Sequence, residues 1–201
     1  MSPPARPPAL VLVDVQRGFD EPAWGARNNP EAEARIAELL AGWRAAGWPL
    51  AHVRHMSTTP GSPLRPELPG NAWKPEAEPE AGEPRFEKTA HSAFVGTGLE
   101  DHLRREGIGE VVVVGLTTDH CVSTTARMAA DLGFAVTVVD DATATFDRTG
   151  PDGARHSADE MHRLALASLH EEFGRVASTR EVLARLGRSA EAAPVRGEAA
   201  E

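Results

Sequence analysis

Apolar positions along this chain follow two alternating rhythms. PALVLVDV (8–15), the segment 49–55, VVVVG (111–115), FAVTVVD (134–140) and the short 175–177 are compact apolar runs of strand length, and a further strand should end near Lys88. Runs without polar alternation mark strands buried on both faces, as in parallel sheets. Between them the spacing turns helical. Ile36, Leu39, Leu40 and Trp43 recur on one face, opened by Asn29 and Pro30 and closed by Gly47. Thr97 with Glu100 reads as a capping box for a short helix ending at Gly107. A helix over 121–132 stops at Gly133, Ser157 with Glu160 opens one reaching about Phe173, and Ser178 with Glu181 opens the last. Alternating strands and helices predict an α/β fold, a three-layer αβα sandwich around a central, mainly parallel six-stranded sheet. A long Pro/Gly-rich stretch (56–84) interrupts the rhythm; a loop of that length is usually a lid or binding loop.

The chain has 201 residues, which fits one domain, placed at 9–187 between a flexible Pro-rich lead (1–8) and a flexible tail (188–201). A net charge of −9 argues against nucleic acid or an anionic membrane as partner. No apolar stretch approaches the ~18 residues of a membrane span. The single cysteine excludes an internal disulfide and any multi-cysteine metal site. A cytoplasmic setting is therefore expected.

Three residues with chemistry fall at the carboxyl ends of expected strands, where ligand crevices form in such sheets. Asp14 ends the first strand, Lys88 the third, and Cys121 follows the fourth. Each alone has an ordinary use as a turn residue, a solvated cation or a packed thiol. Their joint placement on one edge is what points to catalysis. A thiol needs a base or a field that favours the thiolate. The helix 121–132 would lend Cys121 its positive end, Lys88 a full charge, and Asp14 a proton acceptor that can later protonate a leaving amine. Backbone amides in GLTTDHC (115–121) can face the oxyanion formed on attack. The usual serine-hydrolase elbow and nucleotide-binding glycine loops do not occur.

LVLVDVQRGF (10–19), EKTAHSAFVGT (87–97), VVVGLTTDHCVSTTARMAADLGF (112–134) and VVDDATATF (138–146) resemble the isochorismatase-like hydrolase superfamily, over about 10–186. The resemblance implies a Cys-Asp-Lys triad that hydrolyses C–N bonds through a thioester at Cys121. It also implies a non-proline cis peptide at Leu116–Thr117, with the amides of Thr117 and Cys121 as oxyanion hole. Isochorismatases proper lack the cysteine, so Cys121 argues for a small-molecule amide. Nicotinamidases bind a metal through residues beginning D-x-H, where this chain reads Val53-Arg54-His55. Neither metal nor cofactor is therefore expected. RHMSTTPGSPLRP (54–66) is similar to a lactam-opening subgroup that includes streptothricin hydrolase. Phe19, Trp24, Arg54, His55, Trp73, Phe94, Leu116, His120 and Phe146 are the candidate substrate contacts, with Trp73 an exposed aromatic on the long loop. A homodimer or higher homo-oligomer is expected. Isochorismatase-type or nicotinamidase-type hydrolysis, or a non-catalytic thiol redox or binding role, are the alternatives.

Overall fold

The computed structural model describes residues 6–191. Its strands are β1 (Ala9–Val13), β2 (Leu50–His55), β3 (Arg85–Lys88), β4 (Glu110–Leu116), β5 (Ala135–Ala144), β6 (Arg148–Thr149), β7 (Arg155–His156) and β8 (Arg175–Ala177). Its helices are α1 (Ala32–Ala46), α2 (Leu99–Arg105), α3 (Ser123–Asp131), α4 (Ala158–Leu169) and α5 (Thr179–Glu191). Six strands form one sheet in the order β3-β2-β1-β4-β5-β8, every neighbour parallel. β6 and β7 make a separate antiparallel ribbon. The flexible lead and tail expected from the sequence lie largely outside the described residues. No described helix is long and apolar enough to cross a membrane.

Side-chain alternation divides the core into two halves. Ala9, Val11 and Val13 of β1, with Val111 and Val113 of β4, pack on Leu99 and Leu103 of α2, Ala126 and Ala129 of α3, and Leu166 of α4. Leu10, Leu12, Val112 and Val114 pack the other way, on Ile36, Leu39, Leu40 and Trp43 of α1 and Val182 of α5. Burial on both faces explains why β1 and β4 read as continuous apolar runs. The sheet is thus covered on both sides, and its carboxyl edge is left to loops.

Two caps differ from expectation. Asn29 adopts φ +42° and its side-chain amide donates to the Asp140 and Thr143 carbonyls at 2.8 and 2.7 Å. That amide is spent tying α1's approach to β5, and the helix opens at Ala32 without a side-chain cap. The Thr97 hydroxyl donates back to the Ala93 carbonyl, leaving Gly98 as the N-cap of α2. Ser157 does cap α4, accepting from the Glu160 amide, and Ser178 forms the reciprocal box with Glu181. α4 ends at Leu169, short of Phe173, because the chain turns at Glu171 with φ +67°.

An ion cluster fastens α1 to the long loop. Glu33 accepts two bonds from Arg27 at 2.8 Å and one from buried Lys74 at 2.7 Å. Despite burial, these partners hold its carboxyl down at about 2. A depressed carboxyl stabilises the fold above its unfolded pKa, and that stability is lost as pH falls from about 4.5 towards 2. Glu33→Gln should cost about 2–3 kcal/mol near neutrality and almost nothing near pH 2. Urea titrations across pH test this; a deficit that stays constant with pH would assign the loss to packing instead.

Candidate active site

The carboxyl edge is shaped by close backbone contacts. Gly115, near the end of β4, has φ +120°, and a Cβ there would lie 2.0 Å from the Val13 carbonyl oxygen. Only glycine lets β4 lie this close to β1 before the chain turns away. The Leu116–Thr117 peptide that follows is cis, as the family resemblance implies. A single π-helical turn, Thr118–Val122, then leads into α3, with the Val122 amide donating to the Thr117 carbonyl at 3.1 Å. Cys121 sits in this turn. The turn is held from outside, because the Asp119 carboxylate accepts from Thr145 and from Arg148 Nε at 2.9 Å, and Thr118 Oγ1 meets His162 Nδ1 at 2.9 Å.

β1, β2 and β3 bring the remaining groups. Asp14 leaves β1 at φ +53°, its side chain fully buried. The parallel register sets His55 beside Lys88 and Arg54 beside Glu87. Alternation therefore turns His55 and Lys88 to the site, and Arg54 and Glu87 away from it. Lys88 Nζ donates to Asp14 Oδ2 at 2.6 Å and to the Ala90 carbonyl at 3.1 Å, and lies within hydrogen-bonding distance of both Cys121 Sγ (3.3 Å) and His55 Nδ1 (3.1 Å). Asp14 Oδ1 is buried and has no fixed partner among the described residues. The Cys121 thiol is the neighbouring group able to give it a proton.

A cavity of about 270 Å³ opens over this cluster, lined by Asp14, Phe19, Trp24, His55, Ser57, Thr59, Ser62, Pro63, Leu64, His91, Thr117, His120 and Cys121. A slightly larger one, about 320 Å³, lies at the opposite end of the sheet against Trp43, Trp48 and Val182, but no cysteine, histidine or lysine lines it. Chemistry, and not volume, selects the first. Ser57, Thr59, Ser62, Pro63, Leu64 and His91 were not among the expected contacts. The loop 56–84 was singled out only as a whole, and His91 stands three residues past Lys88 in a matching motif.

Several expected contacts sit elsewhere. Leu116 and Phe146 are buried behind the cavity, Phe146 stacking on Trp24 at 5.4 Å, so they back its aromatic wall. Phe94 packs into the core against Phe134 at 5.8 Å. Arg54 pairs with Glu87 and lies over Trp73. Trp73 is buried beside His52, not exposed on a lid. The cause is a rigid tether. Lys74 N donates to the Val15 carbonyl, and the Gln16 side-chain amide donates to the His55 and Asn71 carbonyls at 3.1 and 2.9 Å. Gly18 and Gly70 also meet with no room for a Cβ at either. The long loop is tied down at Gly70, Asn71 and Lys74, and its 57–64 part forms a wall of the cavity.

Electrostatics also depart from expectation. Burial, reinforced by the Asp14 charge, pushes the Cys121 thiol up to about 12, and Lys88 only partly offsets this. The positive helix end and Lys88 together do not make a resting thiolate. Burial raises the Asp14 carboxyl too, against the pull of Lys88. His55 is driven down to about 4 by burial and then by Lys88, so it is a neutral imidazole at neutral pH.

Asp14, His55 and Cys121 carry ligand atoms within 4.8 Å of one another. They do not fit a metal ion, because the Lys88 ammonium touches all three and so supplies the local cation itself. Val53, at the place of the aspartate in the D-x-H pattern that the family resemblance brings in, is fully buried in the core.

A parallel αβα sandwich with a thiol, a carboxylate and an ammonium converging at its carboxyl edge is a hydrolase architecture. The Isochorismatase domain family matches residues 8–181, and the chain belongs to that family of hydrolases. It is 41% identical to the isochorismatase family protein YrdC of Bacillus subtilis, over 87% of this chain and 94% of that one. Streptothricin hydrolase of Streptomyces noursei is 38% identical over 69% of this chain and 50% of that protein. The crystal structure of an isochorismatase-family protein from Chromobacterium violaceum superposes with a TM-score of 0.88 at 48% identity, covering 94% of this chain and all of the other.

Proposed function

We propose that this chain is a cysteine amidohydrolase that cleaves the C–N bond of a small uncharged amide, lactam or ureido compound. The observation that carries the reading is the buried contact of Lys88 with both Asp14 (2.6 Å) and Cys121 (3.3 Å) at the floor of the cavity. Because the resting thiol is protonated, its proton passes to Asp14 as Sγ attacks the carbonyl carbon. The amides of Thr117 and Cys121 receive the oxyanion. Asp14 then protonates the departing nitrogen, the C–N bond breaks and a thioester remains on Cys121. Water attacks that thioester, gives its proton to Asp14, and the thiol is restored as the acid leaves. Lys88 supplies the counter-charge first to the Asp14 carboxylate at rest and then to the negative charge that develops on sulfur during attack.

The walls support an uncharged substrate. Phe19 and Trp24 form one side, and Ser57, Thr59 and Ser62 offer hydroxyls. No arginine lines the cavity, and Arg54, a candidate substrate contact that could have gripped a carboxylate, is engaged by Glu87. The similarity to streptothricin hydrolase supports an amide as the scissile group. Matched amides with and without a carboxylate should differ in kcat/KM in favour of the uncharged member, equally in wild type and in Arg54→Ala. A preference for the carboxylated member that disappears in Arg54→Ala would overturn the substrate assignment.

A further inference from the structure

Lys88 faces more acceptors than it has protons. An ammonium carries three N–H donors and accepts nothing. Around Lys88 Nζ stand four acceptors: Asp14 Oδ2, the Ala90 carbonyl, His55 Nδ1 and Cys121 Sγ. Asp14 Oδ2 is closest and charged, which makes it the strongest claimant. The Ala90 carbonyl, two residues along the chain, is a strong oxygen acceptor at 3.1 Å. One N–H is left for either the imidazole nitrogen at 3.1 Å or the sulfur at 3.3 Å, and sulfur is the weaker acceptor. For Nδ1 to take that bond it must carry its lone pair, which assigns the proton of His55 to Nε2.

The His55 ring is fixed for this task. Its own backbone amide donates to Gln16 Oε1 at 2.9 Å, and its carbonyl accepts from Gln16 Nε2 and Asn71 Nδ2. Its strand register with Lys88 brings the two side chains to the same side of the sheet.

We propose that His55 is a positioning residue that biases the resting state of the nucleophile: its Nδ1 lone pair competes with Cys121 Sγ for the third Lys88 proton and so adds to burial in keeping Cys121 a thiol until substrate arrives. The imidazole acts on Cys121 only through Lys88. The low proton affinity of the buried ring agrees with this, since a protonated His55 could accept nothing from Lys88. The thiol is thereby protected from alkylation and oxidation in the empty site, and the charge separation is deferred to the moment of attack.

The inference rests on the cluster geometry behind the proposed function. It is read without substrate, so it can fail while the amidase reading stands, and the reverse. The measurement is the pH dependence of Cys121 alkylation by iodoacetamide. His91 and His120, which also line the cavity, and Asp14 and Lys88 remain unchanged in every variant. In His55→Leu the imidazole is replaced by an apolar group of similar reach, and Lys88 turns its freed N–H to sulfur. The apparent thiol pKa should drop by about one pH unit, with alkylation about tenfold faster near neutrality. His55→Asn places an amide oxygen where Nδ1 stood and should restore the slow, wild-type profile. His55→Ala gives the same readout as His55→Leu should that variant fold poorly by circular dichroism. A wild-type profile in both apolar variants, or an asparagine variant as fast as the leucine one, would overturn the proposal.

Discussion

Cys121→Ala should abolish hydrolysis, by roughly 10⁴-fold or more, while the protein keeps its fold. The thiol is partly buried and its removal leaves a gap of a single sulfur atom, so the structural cost is small beside the chemical one. Cys121→Ser should be nearly as inactive. Burial and the Asp14 charge already push a thiol up to about 12, and they would hold a hydroxyl still more firmly in its neutral form. The check is turnover of both variants under conditions where circular dichroism matches wild type. Turnover above a few per cent in either would mean that attack does not begin at sulfur.

Asp14→Asn should lower kcat/KM by roughly 10²–10⁴-fold. The amide fills the same space but can neither take the thiol proton nor return it to the leaving nitrogen. The wild-type pH profile carries a second signature. Activity requires the carboxylate, and burial raises the Asp14 pKa above its usual value, so activity should fall with decreasing pH earlier than for an ordinary aspartate. In Asp14→Asn that acid limb should vanish along with most of the rate. Because Lys88 is then a buried ammonium without its carboxylate, the stability of the variant must be measured beside its rate. A variant that retains wild-type kcat/KM with an unchanged acid limb would remove Asp14 as the base.

Much of the fold can be read in the sequence because its signals are local. The buried run 9–13 and the run 111–114 pack on both faces, and an apolar string is the direct record of that. Placing Asp14, Lys88 and Cys121 on one edge needed only the rule that strands in such sheets run parallel. What could not be read depends on neighbours distant in sequence. Asn29 carries a good cap side chain, yet β5 carbonyls more than a hundred residues away claim it. Trp73 reads as an exposed loop aromatic until the Gln16 and Gly18–Gly70 contacts pin the loop down. Arg54 lies near the carboxyl end of a strand and looks free to bind substrate; only the register with β3 shows that Glu87 holds it. The thiol's state is the clearest case. A helix end and a lysine are visible in sequence, whereas the burial that outweighs them exists only in the folded chain.

The central claim is a covalent intermediate on one atom, and rapid-quench intact-mass spectrometry tests it most directly. Wild-type protein mixed with a turned-over amide and quenched in acid within milliseconds should carry the mass of the acyl group. Peptide mapping should place that group on Cys121, and the adduct should disappear as hydrolysis completes. Hydrolysis that proceeds at full rate with no acyl mass at any quench time, or with the acyl group on another residue, would contradict the account.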